Sequence, residues 1–123
     1  MDERTLRARM LLGESAMDRL RNSHVAVFGL GGVGSWCAEA LARSGVGRMT
    51  LVDQDTVSVS NINRQLCALE STVGMPKAEV VARRLRDINP QIEINCIAGR
   101  YEAADRERFI ADYDYVVDAI DIV

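Results

Sequence analysis

The stretch GLGGVGS, Gly29 to Ser35, sets Gly29, Gly31 and Gly34 in the order G-x-G-x-x-G. It follows a short apolar run and opens a helical pattern. Gly29 permits a tight turn there, and Gly31 lets backbone N–H groups approach a phosphate. Gly34 lets the helix pack near the strand, and the helix N-terminus favours an anion. Asp53 lies 19 residues after Gly34, at the end of the next apolar run. A carboxylate at that place accepts hydrogen bonds from ribose hydroxyls. A glycine-rich turn followed by a solvated acid explains neither the strand–turn–helix context nor the spacing. The expectation is an adenine nucleotide site.

The next polar cluster departs from a nicotinamide dehydrogenase pattern. After Asp53 come Asp55, Ser60, Asn61, Asn63, Arg64 and Gln65. Arg64 offers a planar fork to phosphate oxygens, and Asn and Gln amides can donate to them. Pro76 and Lys77 then stand at the start of an expected helix. A cation in a first helical turn is unfavourable by roughly 0.3–1 kcal/mol. A polyphosphate bound there turns that misfit into a gain. For any one residue the ordinary reading competes: Lys77 solvated, Asn61 and Asn63 capping turns. For the set together it is weaker. Further on, DAID places Asp118 and Asp121 at the exit of an apolar run. A carboxylate facing a triphosphate usually does so through magnesium. Asp121 is freer to reach the ion, and Asp118 is placed to bond loop backbone. From spacing alone, two ordinary strand-exit acids read equally well.

Other chemistry-bearing residues read as structural. His24 is the only histidine, so no His-based triad or metal cluster can be built. Cys37 and Cys96 fall on positions expected to face the core, and Cys67 reads as a small buried residue near the polar loop. Trp36 is expected in the core. Arg4, Arg7 and Arg9 are interspersed with acids and read as a solvated face.

The elements that must position these residues follow from periodicity. Strands are expected at 24–29, 48–53, 92–98 and 113–120. A helix from Val33 has apolar positions 33, 36, 37, 40 and 41, with Glu39 and Arg43 paired four apart on its other face. A helix over 77–88 turns Ala78, Val81, Ala82, Leu85 and Ile88 inward, and Pro90 stops it. A weaker helix is expected at 103–112. One at 14–22 buries Ala16, Met17 and Leu20. Strands alternating with helices predict an α/β fold: a Rossmann-like, doubly wound, mainly parallel sheet with helices on both faces. Residues 1–22 form an N-terminal helical segment, and 23–123 the core. The last expected strand ends close to Val123, so the chain reads as the N-terminal part of a longer protein, or as one whose open side a partner covers.

The bulk numbers exclude several classes. A chain of 123 residues holds one domain. No run reaches the length of a membrane span, and the charged N-terminus lacks a signal core. Three scattered cysteines without a C-x-x-C pair point to a reducing, cytoplasmic setting. A net charge of −3 leaves no electrostatic footprint for nucleic acid.

In their order and spacing, GLGGVGS, LVDQDTVSVSNINRQ, STVGMPK and VVDAID resemble the adenylating domain of ubiquitin-activating enzymes and their bacterial relatives, the molybdopterin- and thiamine-pathway activators of the MoeB and ThiF type. The resemblance runs from about Arg7 to Val123. Within that superfamily, EALARSGVGRMTLVD, SNINRQLCAL and DAID are most similar to the tRNA threonylcarbamoyladenosine dehydratases; sulfur-carrier activators tend to read DCTDN at the last position. The resemblance implies an ATP- and Mg2+-dependent adenylation of a carboxylate. In the dehydratase branch that is the threonylcarbamoyl group of a tRNA adenosine, which then cyclises. In the other branch it is the C-terminal Gly-Gly of a ubiquitin-like carrier protein. The resemblance further implies that Gly32 and its neighbours contact the phosphates, that Asp53 holds the ribose, and that Asn61, Arg64, Gln65 and Lys77 surround the triphosphate. Asp121 matches the magnesium-coordinating acid. Arg7 matches an arginine that reaches across a homodimer, a role Arg9 takes if the alignment slips. The acceptor-recognition half of such a protein lies beyond the segment matched.

Overall fold

The computed structural model describes residues 2–99 and 113–120. Four parallel strands lie in the order β3-β2-β1-β4: β1 His24–Phe28, β2 Arg48–Val52, β3 Glu93–Ile97 and β4 Tyr115–Asp118. β1 is central and buried throughout. Its run HVAVF is accordingly near-continuously apolar rather than alternating, as a strand covered on both faces requires. Sheet growth runs from β1 through β2 to β3 on one side and to β4 on the other. The crevice beyond the carboxyl ends of β1 and β4, where the order reverses, is where open α/β sheets bind ligands. The architecture is a Rossmann-like α/β fold.

α3 (Gly34–Ser44) links β1 to β2, and α4 (Lys77–Ile88) links β2 to β3. Both pack on the sheet face that carries Val25, Val27, Met49 and Leu51. The other face carries a smaller cluster of Ala26, Phe28 and Val52. α4 has the bounds its sequence dictates. Ala78, Val81, Ala82 and Leu85 are buried, and Glu79, Arg83 and Arg86 are exposed. Ile88 is partly buried against the core.

α3 is oriented differently from its apolar spacing. Its buried side is Gly34, Ser35, Ala38, Glu39 and Ala42, while Val33 is 73% exposed and Trp36 52%. The cause is close approach. A Cβ on Gly34 would stand 1.7 Å from the Gly29 carbonyl oxygen. Small residues meet the sheet where the helix comes that close, so Val33 and Trp36 turn outward, as does Ala40, while Leu41 stays partly buried against the core. Cys37 is only half-buried, and Cys96 on β3 is exposed rather than core-facing. The Glu39–Arg43 pair exists at 3.4 Å, but on the buried side, where Arg84 of α4 joins it.

The N-terminal segment is helical, as expected. A turn at Glu3–Thr5 leads to α1 (Leu6–Leu12), and Gly13 joins α1 to α2 (Glu14–Arg21). Met17 is buried, with Ala16 and Leu20 partly so. α1 buries none of its residues, so it leaves no apolar periodicity to read. The end of α2 is seated against the α3–β2 turn. Gly47 donates its N–H to the Leu20 carbonyl at 3.2 Å, and a Cβ on Gly47 would lie 1.9 Å from the Arg21 oxygen. The helix expected at 103–112 lies outside the described residues.

Candidate nucleotide site

The glycine-rich loop leaves β1 through Gly29, whose φ of +90° is open to glycine. A Cβ at Gly29 would also meet the Ala119 carbonyl oxygen at 2.7 Å. Gly29 and Gly34 are thus demanded by the fold itself. Gly31 and Gly32 are not. A Cβ on Gly31 would find only Gln65 side-chain atoms, the nearest Nε2 at 3.5 Å, and one on Gly32 only Arg64 atoms, at 3.9 Å. Bare backbone at these two positions leaves open space walled by Gln65 and Arg64. Among the described residues the N–H groups of Gly31, Gly32 and Val33 have no backbone acceptor. That is the expected state of a helix N-terminus awaiting an anion.

Asp53 ties this loop to the next. Its Oδ2 accepts the Leu30 N–H at 2.6 Å and its Oδ1 the Asp55 N–H at 2.7 Å. Each oxygen keeps a lone pair for a ribose hydroxyl.

The excursion between β2 and α4 is closed at its base. Thr56 bridges Pro76, and Val57 N–H donates to the Met75 carbonyl at 2.8 Å. Lys77 N–H donates to the Asp55 carbonyl at 3.0 Å. This closure brings Lys77 beside the polar loop despite the residues between them. Asn61 is buried, and its Oδ1 caps the turn Val59–Asn61 by accepting from Ser58 N–H and Oγ, at 2.9 and 3.0 Å. Its carbonyl accepts the N–H groups of Arg64 and Gln65. The turn-capping reading of Asn61 therefore holds for its oxygen. Arg64 Nη1 donates to the Ser60 carbonyl and to Asn63 Oδ1, both at 3.0 Å. Trp36, on the first turn of α3, donates Nε1–H to the Arg64 carbonyl at 3.4 Å. Sequence reasoning placed this indole in the core and missed that contact.

Lys77 is largely buried. It is 6% exposed at the first position of α4. Among the described residues its ammonium has no hydrogen-bond or ion-pair partner. Beneath it Cys67 is buried, with its thiol 3.8 Å from the Leu30 carbonyl. Burial pushes that thiol up, while the nearby Lys77 charge opposes the rise. Cys67 is an inert filler rather than a nucleophile. Gln65 is buried beside it. Asp55 is exposed, and Asp118 Oδ1 accepts the Ile120 N–H at 3.2 Å, the backbone role expected of it. Asp121 lies outside the described residues. Among the described residues no group of three or more His, Cys, Asp or Glu side chains can hold a metal ion.

Outside the site, one residue corrects the sequence reading. Arg9 is not part of a solvated face: its side chain is 10% exposed and pairs with Glu14 at 3.2 Å. Arg7 is exposed. His24 is buried and structural, with Nε2 2.8 Å from Thr50 Oγ1. A cavity of about 1040 Å³ opens at the opposite end of the sheet, between Arg9, Arg84 and Gly47. Its size does not make it the nucleotide site, because the bare glycine backbone and the buried Lys77 lie at the carboxyl edge.

Residues 3–123 match the ThiF family. The chain belongs to that family. This ThiF-family chain is 50% identical, over 95% of its length, to a tRNA threonylcarbamoyladenosine dehydratase of Bacillus subtilis, of which it covers 46%. It is 42% identical, over 86% of its length, to the molybdopterin-synthase adenylyltransferase of Escherichia coli, covering 43% of that protein. The solved structure of E. coli tRNA N6-threonylcarbamoyladenosine dehydratase, TcdA, in complex with ATP superposes with a TM-score of 0.95 at 44% identity, over 98% of this chain and 50% of that one. The same protein has been solved with AMP. The ThiF-family chain thus spans about half the length of the relatives it matches. No helix among its described residues is long and apolar enough to cross a membrane.

Proposed function

We propose that this chain supplies the ATP site of an enzyme that adenylates the threonylcarbamoyl carboxylate of a modified tRNA adenosine, which then cyclises with loss of water. The observation that carries a polyphosphate site is Lys77. A largely buried lysine whose ammonium has no partner among the described residues, placed at a helix N-terminus, is suited to meet an anion there. The open backbone at Gly31 and Gly32 leaves room for that anion between Arg64 and Gln65. The dehydratase names among the relatives, and the ATP and AMP complexes of TcdA, support the choice of nucleotide and of acceptor.

The reaction asks little covalent work of the protein. The carboxylate oxygen attacks the α-phosphorus and pyrophosphate leaves, giving an acyl adenylate. The carbamoyl oxygen then attacks the activated carbonyl, AMP leaves and a proton is lost. No general base is needed for the first step, because a carboxylate is already a nucleophile at neutral pH. Catalysis is positioning and charge stabilisation. The N–H groups of Gly31, Gly32 and Val33, with Arg64, Gln65, Asn61 and Lys77, face the negative charge that builds on the phosphate oxygens. Asp53 orients the ribose. Mg2+, held by the phosphates and Asp121, would neutralise the leaving pyrophosphate. Arg7, exposed on α1, would enter the triphosphate site of a second protomer in a homodimer. The three free thiols accord with work in the cytoplasm.

The test is pyrophosphate release by the intact protein. It is expected to require threonylcarbamoyl-modified tRNA, and Arg64→Ala or Asp121→Ala should lower its rate by roughly 10²–10³-fold. Exchange stimulated by a Gly-Gly-ending carrier protein and not by tRNA would assign the acceptor to the carrier branch instead.

A further inference from the structure

The Arg9 side chain, 10% exposed, is drawn in far from the nucleotide site, in an arrangement that is poor as a source of stability. Its Nη2 is buried without a hydrogen-bond partner. Its ion pair is with Glu14, whose own side chain is 69% exposed. Desolvating a guanidinium is costly, and a partner so exposed to water returns little.

What the pair does is span a joint. Arg9 belongs to α1 and Glu14 opens α2. Between them Gly13 adopts φ 89° and ψ 163°. The Gly13 N–H donates to the Arg9 carbonyl at 2.8 Å, and its carbonyl accepts the Met17 N–H at 3.1 Å. No neighbouring atom lies within 4 Å of where its Cβ would be, so packing does not hold the joint. A glycine there leaves the angle between the helices soft. α2 is fixed to the body by buried Met17 and by the contact of Arg21 with Gly47. α1 is held more lightly: it buries none of its residues, packs on α2, and is tied at its start by the turn Glu3–Thr5, which meets α3. At its other end, where it meets Gly13, Arg9 braces it through Glu14.

We infer that Arg9, held by Glu14, is a positioning residue that sets the angle of α1 at Gly13, so that Arg7 of one protomer enters the triphosphate site of the other. The inference rests on the role proposed above for Arg7. Arg9 acts through Arg7 and touches neither nucleotide nor acceptor.

The experiment compares Arg7→Ala, Arg9→Met and Glu14→Gln in the intact protein, and adds hybrid dimers. All three are expected to lower the kcat of pyrophosphate release, Arg9→Met by roughly tenfold or more, since a small misplacement of a catalytic group costs up to about 10²-fold. Thermal unfolding should remain two-state and native-like. Co-expression of equal amounts of Arg9→Met and Arg64→Ala subunits should recover about a quarter of the wild-type rate, because half the dimers are then hybrids with one intact site served by one intact arm. Wild-type turnover in Arg9→Met and Glu14→Gln, with Arg7→Ala inactive, overturns the brace and leaves the arm standing. Activity lost in Arg9→Met and not recovered in the hybrid also overturns it, because the damage then lies in the mutant's own site. Full activity in Arg7→Ala overturns the reading of the arm itself, and the brace with it. If Arg9→Met does not fold, the exposed Glu14→Gln variant takes its place in every arm.

Discussion

Lys77 carries two penalties at once. It faces the positive end of the α4 dipole, and most of its side chain has left water while its ammonium has no partner among the described residues. A triphosphate relieves both. Lys77→Met keeps the unbranched chain and removes the charge. It is expected to raise the unfolding free energy of the empty protein by about 0.5–1 kcal/mol and to weaken ATP binding at least tenfold. Urea denaturation and calorimetric titration measure the two. Lower stability with unchanged ATP affinity would make Lys77 a packing residue. At this scale the glycines were legible in the sequence, because the needs of Gly29 and Gly34 are local: a turn with φ of +90° and a helix that crowds its own loop. The burial of Arg9 was not legible. It depends on α2 folding back onto the α3–β2 turn, and nothing near Arg9 in the chain announces that.

At the scale of elements, α4 and α3 explain why one helix could be read and the other misread. α4 covers the sheet with apolar side chains at helical spacing, so periodicity reports its buried face. α3 covers it with Gly, Ser and Ala, so periodicity reports the side turned away. The same close packing buries Glu39 between the two helices, where it receives Arg84 from α4 and Arg43 from its own turn. The hydrogen bond from Arg84, aided by both guanidinium charges, holds the Glu39 carboxyl below its usual value of 4.5 against the opposing effect of burial. A depressed carboxyl stabilises the fold fully above its unfolded pKa and loses that contribution as pH falls through the folded value. Glu39→Gln is therefore expected to cost about 1–2 kcal/mol at neutral pH. The gap to wild type should narrow steadily as the pH drops below about 4. Urea titrations across that range read the difference directly. A gap that stays constant with pH would mean that shape, not charge, joins the helices.

For the whole molecule, the question is why so much apolar surface faces outward beside a polar site. Met10 is 79% exposed, Leu11 84% and Leu12 52%, all on α1, and Val33 and Trp36 stand out from α3. Scattered exposed apolar residues need no explanation, but a run on one short helix marks a contact surface. α1 also carries Arg7, whose proposed role requires a second protomer. Under that proposed role both observations would follow from one event, the docking of α1 on a second protomer, which would deliver Arg7. Activity should then depend on association. Leu11→Glu adds a charge at a position that leaves the isolated fold untouched, so the protomer should unfold at the wild-type temperature while sedimenting as a monomer. Its pyrophosphate release should fall with that of Arg7→Ala. Wild-type protein diluted through its dissociation range should lose specific activity along the same curve as its dimer fraction. A Leu11→Glu monomer that turns over at the wild-type rate would show that each protomer completes its own triphosphate site.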